Sequence, residues 1–307
     1  MANHPEVVAA AHGQWGDETL DCLLRDRVAL HPDDPAVADP PDIHLLTGRG
    51  PEEWTWSRLD QEVDRLAALM LGHGVGRGDT VAIQLPAGVE LVQAGLACWR
   101  IGATAMPLAV SLRDRTMTYR ARRGGARTIV TSTRIGGYRA AAVAVALPCF
   151  PTVLAWGPEV PDGAVDLDSA VPAPDEPAAY LARERVRAED RAALLWTACD
   201  GEIPYRHRDL RDAGAEVTGD TLTNAPGPTC PTDFPEVVVP WLRSGCRLVH
   251  PETQRPAAVR PQPVRSEQVR SEAARSETAR SESLRARTHR PEAGTAGLTG
   301  SGRTPRP

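Results

Sequence analysis

A chain of 307 residues, 41% of them apolar and 24% charged, can fold into one large or two modest packed domains, and its longest apolar run, Ala140 to Leu147, is far too short to cross a bilayer. All 35 basic residues are arginine, which excludes chemistry that needs a lysine of this chain, such as a Schiff base or a P-loop ammonium. The charge is uneven: residues 1–254 hold 24 arginines against 35 acidic residues, while residues 255–307 hold 11 arginines against 5 glutamates.

The opening MANHPEVVAA lacks a basic stretch followed by an apolar one, so a secretory signal is not expected and the cytoplasm is the expected compartment. Residues 19–30 place Leu20, Leu23, Leu24 and Val28 on one helical face, and Pro32 and Pro35 stop that helix. A short extended pair is predicted at Ala36–Ala38 and Ile43–Leu46, with Trp54-Thr55-Trp56 as a strand end. Ser57 and Asp60 form a capping-box-like start for a helix whose stripe is Leu59, Val63, Leu66, Ala67, Met70 and Leu71. Next come a buried strand (Thr80–Leu85), a helix (Val89–Ile101), a strand (Ala103–Leu108), an arginine-rich helix (113–123) and a strand (Arg127–Thr131). A helix over 136–147 and a strand at Thr152–Ala155 complete the alternation. Short strands separated by helices indicate βαβ units and a parallel sheet, hence an α/β fold.

Residues 157–178, rich in Pro, Asp and Ala, read as a surface excursion. Ala192–Thr197 is a strand, 207–217 a candidate helix, Glu236–Leu242 an apolar run, and Cys246–His250 a last strand. After Pro251 a five-residue repeat appears: VRSEQ, VRSEA, ARSET, ARSES. Five residues advance a helix by about 140° net, so no face is sustained and no core can be buried. The expected division is an α/β domain over 1–253 and a solvated, disordered arginine/serine/glutamate tail over 254–307. The six cysteines, at positions 22, 98, 149, 199, 230 and 246, match no zinc spacing and read as reduced, mostly buried thiols.

Residues 56–108 carry a helix, the turn Gly74-Val75-Gly76-Arg77-Gly78-Asp79, the strand VAIQLP and the segment Arg100-Ile101-Gly102-Ala103. In this order they resemble the N-terminal region of the adenylate-forming, AMP-binding ligase superfamily. WGDETLDCLL (15–24) looks most like the aryl-CoA and cyclohexanecarboxylate-type CoA ligases. The resemblance implies an acyl-CoA synthetase-like scaffold, with ATP/AMP and Mg²⁺ as cofactors. It also implies a reaction in which a carboxylate attacks the α-phosphate of ATP and a thiol then displaces AMP.

That family uses a loop rich in Ser, Thr and Gly followed by lysine, so that backbone N–H groups, hydroxyls and one cation meet the phosphates. On this pattern Thr197 and Gly201 are the remnant phosphate-loop residues, and Pro204 also aligns. Ala198 replaces a hydroxyl, Asp200 and Glu202 add negative charge, and Tyr205 falls where lysine is expected, leaving Arg206 or Arg208 to restore a cation. The catalytic residues are not identifiable, and no metal ligands are singled out. Cys199, Asp200 and His207 form a second constellation, for thiol chemistry, without established geometry. Arg120, Arg122 and Arg123 read as a solvated helix face, with an anion contact as the alternative.

The expectation is thus a ligase homologue truncated near residue 250, unable to complete carboxylate adenylation alone. Two alternatives are an acid–thiol ligase completed by a second chain, and a noncatalytic binding or partner protein that uses the basic tail. The partners expected are a full-length ligase or a second half-chain. Nucleic acid is not expected, because glutamates intersperse the tail's arginines and no aromatics stand between them. An arginine-specific protease should trim the tail quickly and leave a fragment ending near residues 247–260. Gel electrophoresis with intact mass measurement checks this, and a tail as resistant as the body refutes it.

Overall fold

The computed structural model describes residues 19–172, 180, 184–197, 201–212, 217, 219–223 and 234–252. All of these belong to a unit spanning residues 1–254. The five-residue repeat lies outside the described residues.

A seven-stranded sheet carries most of the fold. Its strands are β3 (Thr80–Gln84), β4 (Thr104–Pro107), β5 (Ala126–Ser132), β6 (Thr152–Trp156), β7 (Val165–Asp166), β8 (Arg191–Trp196) and β9 (Glu202–Arg206). Their order is β7-β6-β5-β3-β4-β8-β9, parallel throughout except for β9, which runs antiparallel to β8. Burial on both faces explains the continuous apolar runs VAI and TIV, because helices cover both sides. On one face lie α1 (Leu20–Leu30), α3 (Trp56–Gly72) and α4 (Val89–Ile101), packed against Val81, Ile83, Val130 and Leu154. On the other lie α5 (Asp114–Gly124) and α6 (Ala140–Ala146), packed against Ala82, Met106, Ile129 and Val153.

The turn before β3 shows how local sequence sets this up. Gly74 and Gly78 have φ of 79° and 87°, a left-handed conformation that favours glycine. The Asp79 carboxylate accepts from the Gly76 N–H at 2.9 Å. Arg77 then grips Asp190 with two parallel bonds of 2.7 and 2.8 Å, which fixes the approach to β8.

A second sheet, with the order β10-β11-β1-β2, joins β1 (Pro35–Ala38) and β2 (Glu53–Thr55) to β10 (Thr221–Thr223) and β11 (Arg247–Val249). The reading of one parallel sheet is extended by this finding, and three local expectations are corrected. Residues 43–46 are not extended: His44–Thr47 is a helical turn, α2, in which the Thr47 hydroxyl donates to the Ile43 carbonyl and Gly48, at φ 83°, ends the turn. Helix α3 starts at Trp56, because Thr55 rather than Ser57 is the cap, its hydroxyl accepting from the Arg58 N–H at 3.2 Å. The helix expected over 136–147 begins only at Ala140, since Ile135 and Tyr138 close a small bridge across Gly136. The apolar run 236–242 lies inside a helix, α8 (Phe234–Ser244), and the candidate helix from 207 is described as α7 (His207–Asp212), with 213–216 outside the described residues.

Two buried contacts tie the layers together. The Arg100 side chain is 1% exposed and bonds Asp21 on α1 (2.8 Å), and Asp60 (2.5 Å) and Asp64 (2.7 Å) on α3, as well as the Asp60 carbonyl (3.1 Å). Burial opposes its charge, but the three carboxylates outweigh that and raise its pKa. Trp56 and Trp241 stack with centroids 4.8 Å apart, and the Trp241 indole donates to the Ala36 carbonyl at 3.1 Å. The four described cysteines are free thiols, and burial pushes Cys98 up to about 12. Replacing Arg100 by methionine leaves three carboxylates facing one another across α1 and α3. The expected loss, read from urea unfolding, is about 3 kcal/mol or more. An unchanged midpoint would show that the carboxylates reach water instead.

Candidate functional site

The hairpin β8–β9 brings the two sequence-predicted loop residues together. Trp196 pairs with Glu202 as the last rung, so only Thr197 to Gly201 connects the strands. The Thr197 N–H donates to the Gly201 carbonyl at 2.8 Å, and the Gly201 N–H donates to the Thr197 hydroxyl at 3.0 Å. A Cβ at position 201 would sit 3.0 Å from that hydroxyl, so a larger residue there would press on the Thr197 side chain. The expectations on Ala198, Cys199 and Asp200 fall outside the described residues.

The charges around the hairpin are committed elsewhere. Glu202 lies 3.5 Å from Arg123 of α5. Arg206 and Arg208, the two candidates for a restored cation, both pair with Glu189, Arg206 at 3.0 Å. Tyr205 is not a loop residue: it sits within β9 opposite Ala193, and its ring packs against the core. Position 205, aligned with the family's lysine, therefore lies on the strand that leaves the loop, three residues past the last rung. Trp196 is covered by Tyr119 (centroids 6.1 Å) and by the Arg120 guanidinium, 5.3 Å from the ring centroid. Arg120 is thus an aromatic contact and not a bare solvated charge.

His207 begins α7 and is fully buried. Its Nδ1 accepts from the Leu20 N–H at 3.2 Å, and its ring stands edge-on to Trp99. Burial pushes it down to about 4, although Asp190 and Asp21 favour the charged form. A neutral imidazole holding a helix start has a structural role, so the thiol constellation gains no support from it.

Two further polar places were not singled out from sequence. The chain turns left from β5 and right from β3, so these neighbours form the strand-order reversal where ligands gather at carboxyl ends in open sheets. There Gln84 donates to the Ala109 and Leu112 carbonyls, while the Ser132 and Thr133 hydroxyls and the Gln84 Oε1 are buried without a protein partner. Strand order is invisible in a linear pattern, which is why this cluster was missed. The other place is a cleft of about 310 Å³ floored by Trp54, Trp156 and Gln93. Beside it Arg49 pairs with Glu90 at 2.7 Å and with Asp168. Burial pushes Glu90 up to about 8 against the pull of Arg49. Asp39 is raised by burial too, partly offset as it accepts from the Val89 and Glu52 N–H groups.

The comparisons agree with this scaffold. The sequence matches the AMP-binding enzyme family over residues 24–198, and the chain belongs to that family. Among relatives, it is 41% identical over 93 residues to the salicyl-AMP ligase / salicyl-S-ArCP synthetase of Mycobacterium tuberculosis, covering 30% of this chain and 16% of that protein. It is 35% identical over 107 residues to the medium-chain fatty-acid–CoA ligase of Escherichia coli, covering 35% of this chain and 17% of that one. The matched stretch thus spans about a sixth of each relative's length. The fold is shared with the coronafacic acid ligase of Pectobacterium brasiliense (TM-score 0.60, 13% identity, 82% of this chain and 47% of that one). The family match stops within the β8–β9 loop. No helix among the described residues is long and apolar enough to cross a membrane.

The buried imidazoles set an acid limit on stability. His207 and His250 are both pushed down to about 4 by burial. Below about pH 6.5 the unfolded chain takes up protons that the folded chain refuses, so their contribution is full above pH 6.5 and is lost as pH falls toward 4. Between pH 7 and 5 each is worth up to about 2 kcal/mol. His207→Asn, which keeps an acceptor for Leu20, should lose less stability than the parent over that interval in urea titrations. Glu90 acts with the opposite sign but is common to both proteins. Equal losses would refute the assignment to His207.

Proposed function

We propose that these 307 residues present the scaffold of an acyl- or aryl-CoA ligase of the AMP-binding family and do not by themselves complete ATP-dependent adenylation of a carboxylate. The observation that carries this reading is the closed hairpin. The Gly201 N–H and the Thr197 hydroxyl, the groups suited to a phosphate, are bonded to each other. Beside them Glu202 adds negative charge, and Arg206 and Arg208 are held by Glu189. A triphosphate at the described part of this loop would have to compete with Glu189 for Arg206 and Arg208 and with Glu202 for Arg123. The Thr197 and Gly201 N–H groups are thus both engaged within the hairpin.

The substrate class attached to the scaffold is an aryl, fatty or alicyclic carboxylate, supported by the names of the relatives. Free thiols support a reducing compartment, taken as the cytoplasm. A second reading is completion of the site by another polypeptide.

The purified chain should show no carboxylate-dependent exchange of pyrophosphate into ATP across a panel of aryl, fatty and alicyclic acids. Exchange above that of a Thr197→Ala, Gly201→Ala control would overturn the first reading. Exchange that appears only when a full-length ligase is added, and that depends on this chain, would favour the second.

A further inference from the structure

The outer face of α5 is strongly basic, in a body whose composition is acidic. Residues 113–127 contain six arginines and a single aspartate, whereas residues 1–254 as a whole carry 24 arginines against 35 acidic residues. On α5 the buried positions are Met117, Ala121 and Gly124. Arg115, Tyr119, Arg122 and Arg123 recur at i, i+4, i+7 and i+8, which places them together on the opposite, exposed face. Arg115 and Arg122 make no ion pair among the described residues, and Arg123 meets only Glu202 at 3.5 Å. Tyr119, 46% exposed, stands in the middle of the stripe. Among the described residues, Arg115 and Arg122, two helical turns apart on either side of an exposed ring, have no ion partner and no structural task on this helix.

We propose that this face docks a short acidic segment of a partner protein. Guanidinium groups pair with carboxylates through two parallel bonds. A partner helix with carboxylates repeating every three to four residues matches the pitch of the stripe, with an apolar side chain over Tyr119. Patch length separates this occupant from a nucleic acid. Eleven helical residues span about 16 Å, while duplex DNA carries a charge about every 1.7 Å along its axis. A polynucleotide would extend past the patch at both ends, but a short acidic segment ends where the patch ends. The site also lies beside the β8–β9 loop, because Tyr119 and the neighbouring Arg120 both contact Trp196, the residue before Thr197.

The test uses the full chain and a fluorescein-labelled helical peptide of glutamate and leucine, with glutamates at i, i+3, i+4 and i+7. Anisotropy should show saturable binding at low salt that weakens sharply as salt rises. Arg115→Glu with Arg122→Glu should weaken it about tenfold or more. Circular dichroism and the urea midpoint should stay unchanged, and Arg115→Ala with Arg122→Ala should give a smaller loss in the same direction. Three results would overturn the proposal. One is no saturable binding at low salt. Another is equal affinity of the charge-reversed protein, which would place binding on other arginines such as those of the repeat. The last is tighter binding of oligothymidine than of the peptide, abolished by the same substitutions, which would make the face a nucleic-acid surface.

Discussion

A single guanidinium holds three helices in register. Arg100 sits at the end of α4, where the chain turns through Gly102 into β4, and its single charge faces three carboxylates, Asp21 and Asp60 on the inner side and Asp64 half-exposed at the rim. A buried ion cluster of this kind is weak evidence for extra stability, because desolvation offsets much of the attraction. Its effect lies in discrimination. With α1, α3 or α4 shifted by one residue, a carboxylate or the guanidinium would be buried without its partner. The apolar stripes of these helices tolerate several packings, so the ion cluster selects among arrangements the hydrophobic surfaces leave open.

The parts of the fold legible in the sequence are those governed by local rules. Val89–Ile101 is read to the residue because an apolar helix is bounded by Gly88 and by Gly102 in a left-handed conformation. The parallel strands are legible because both faces are buried. What was missed depends on single local bonds that a short pattern does not show, or on partners far along the chain. The alternation in residues 43–46 is too short to separate a strand from a helical turn, and the Thr47 back-bond decides it. The second sheet is invisible because β1 pairs with β11, about 210 residues away. Strand β9 was hidden by the pattern laid over it, in which Pro204 and Tyr205 were counted as loop.

The same contrast applies to the candidate site. Thr197 and Gly201 were found from residue type and do meet across the hairpin, but residue type says nothing about which group each one engages. Likewise Arg206 and Arg208 are cations in the sequence and ion-paired cations in the structure, since Glu189 lies within reach of both. A candidate site is a statement about unused hydrogen-bonding capacity, and that quantity exists only once the chain is folded. The Ser132, Thr133 and Gln84 cluster makes the point from the other side: ordinary polar residues become notable only because the sheet reverses its strand order beside them.

The pairing of β1 with β11 has a consequence for the order of events as the chain leaves the ribosome. Strands β3 to β9 and helices α4 to α6 are encoded between residues 80 and 206, so the large sheet can be assembled while later residues are still being made. Strand β1, Trp56 and the Ala36 carbonyl must wait for β11 and Trp241. During synthesis, at roughly 5–20 residues per second, the edge of residues 35–38 therefore stays open, and the Trp56 indole uncovered, for about 10–40 s. Pro35, at the start of that edge, lacks an N–H to offer an intruding strand, and the strand is only four residues long. The vulnerable interval in the life of this protein thus precedes the folded state, and its protection is written into the first strand rather than into the core.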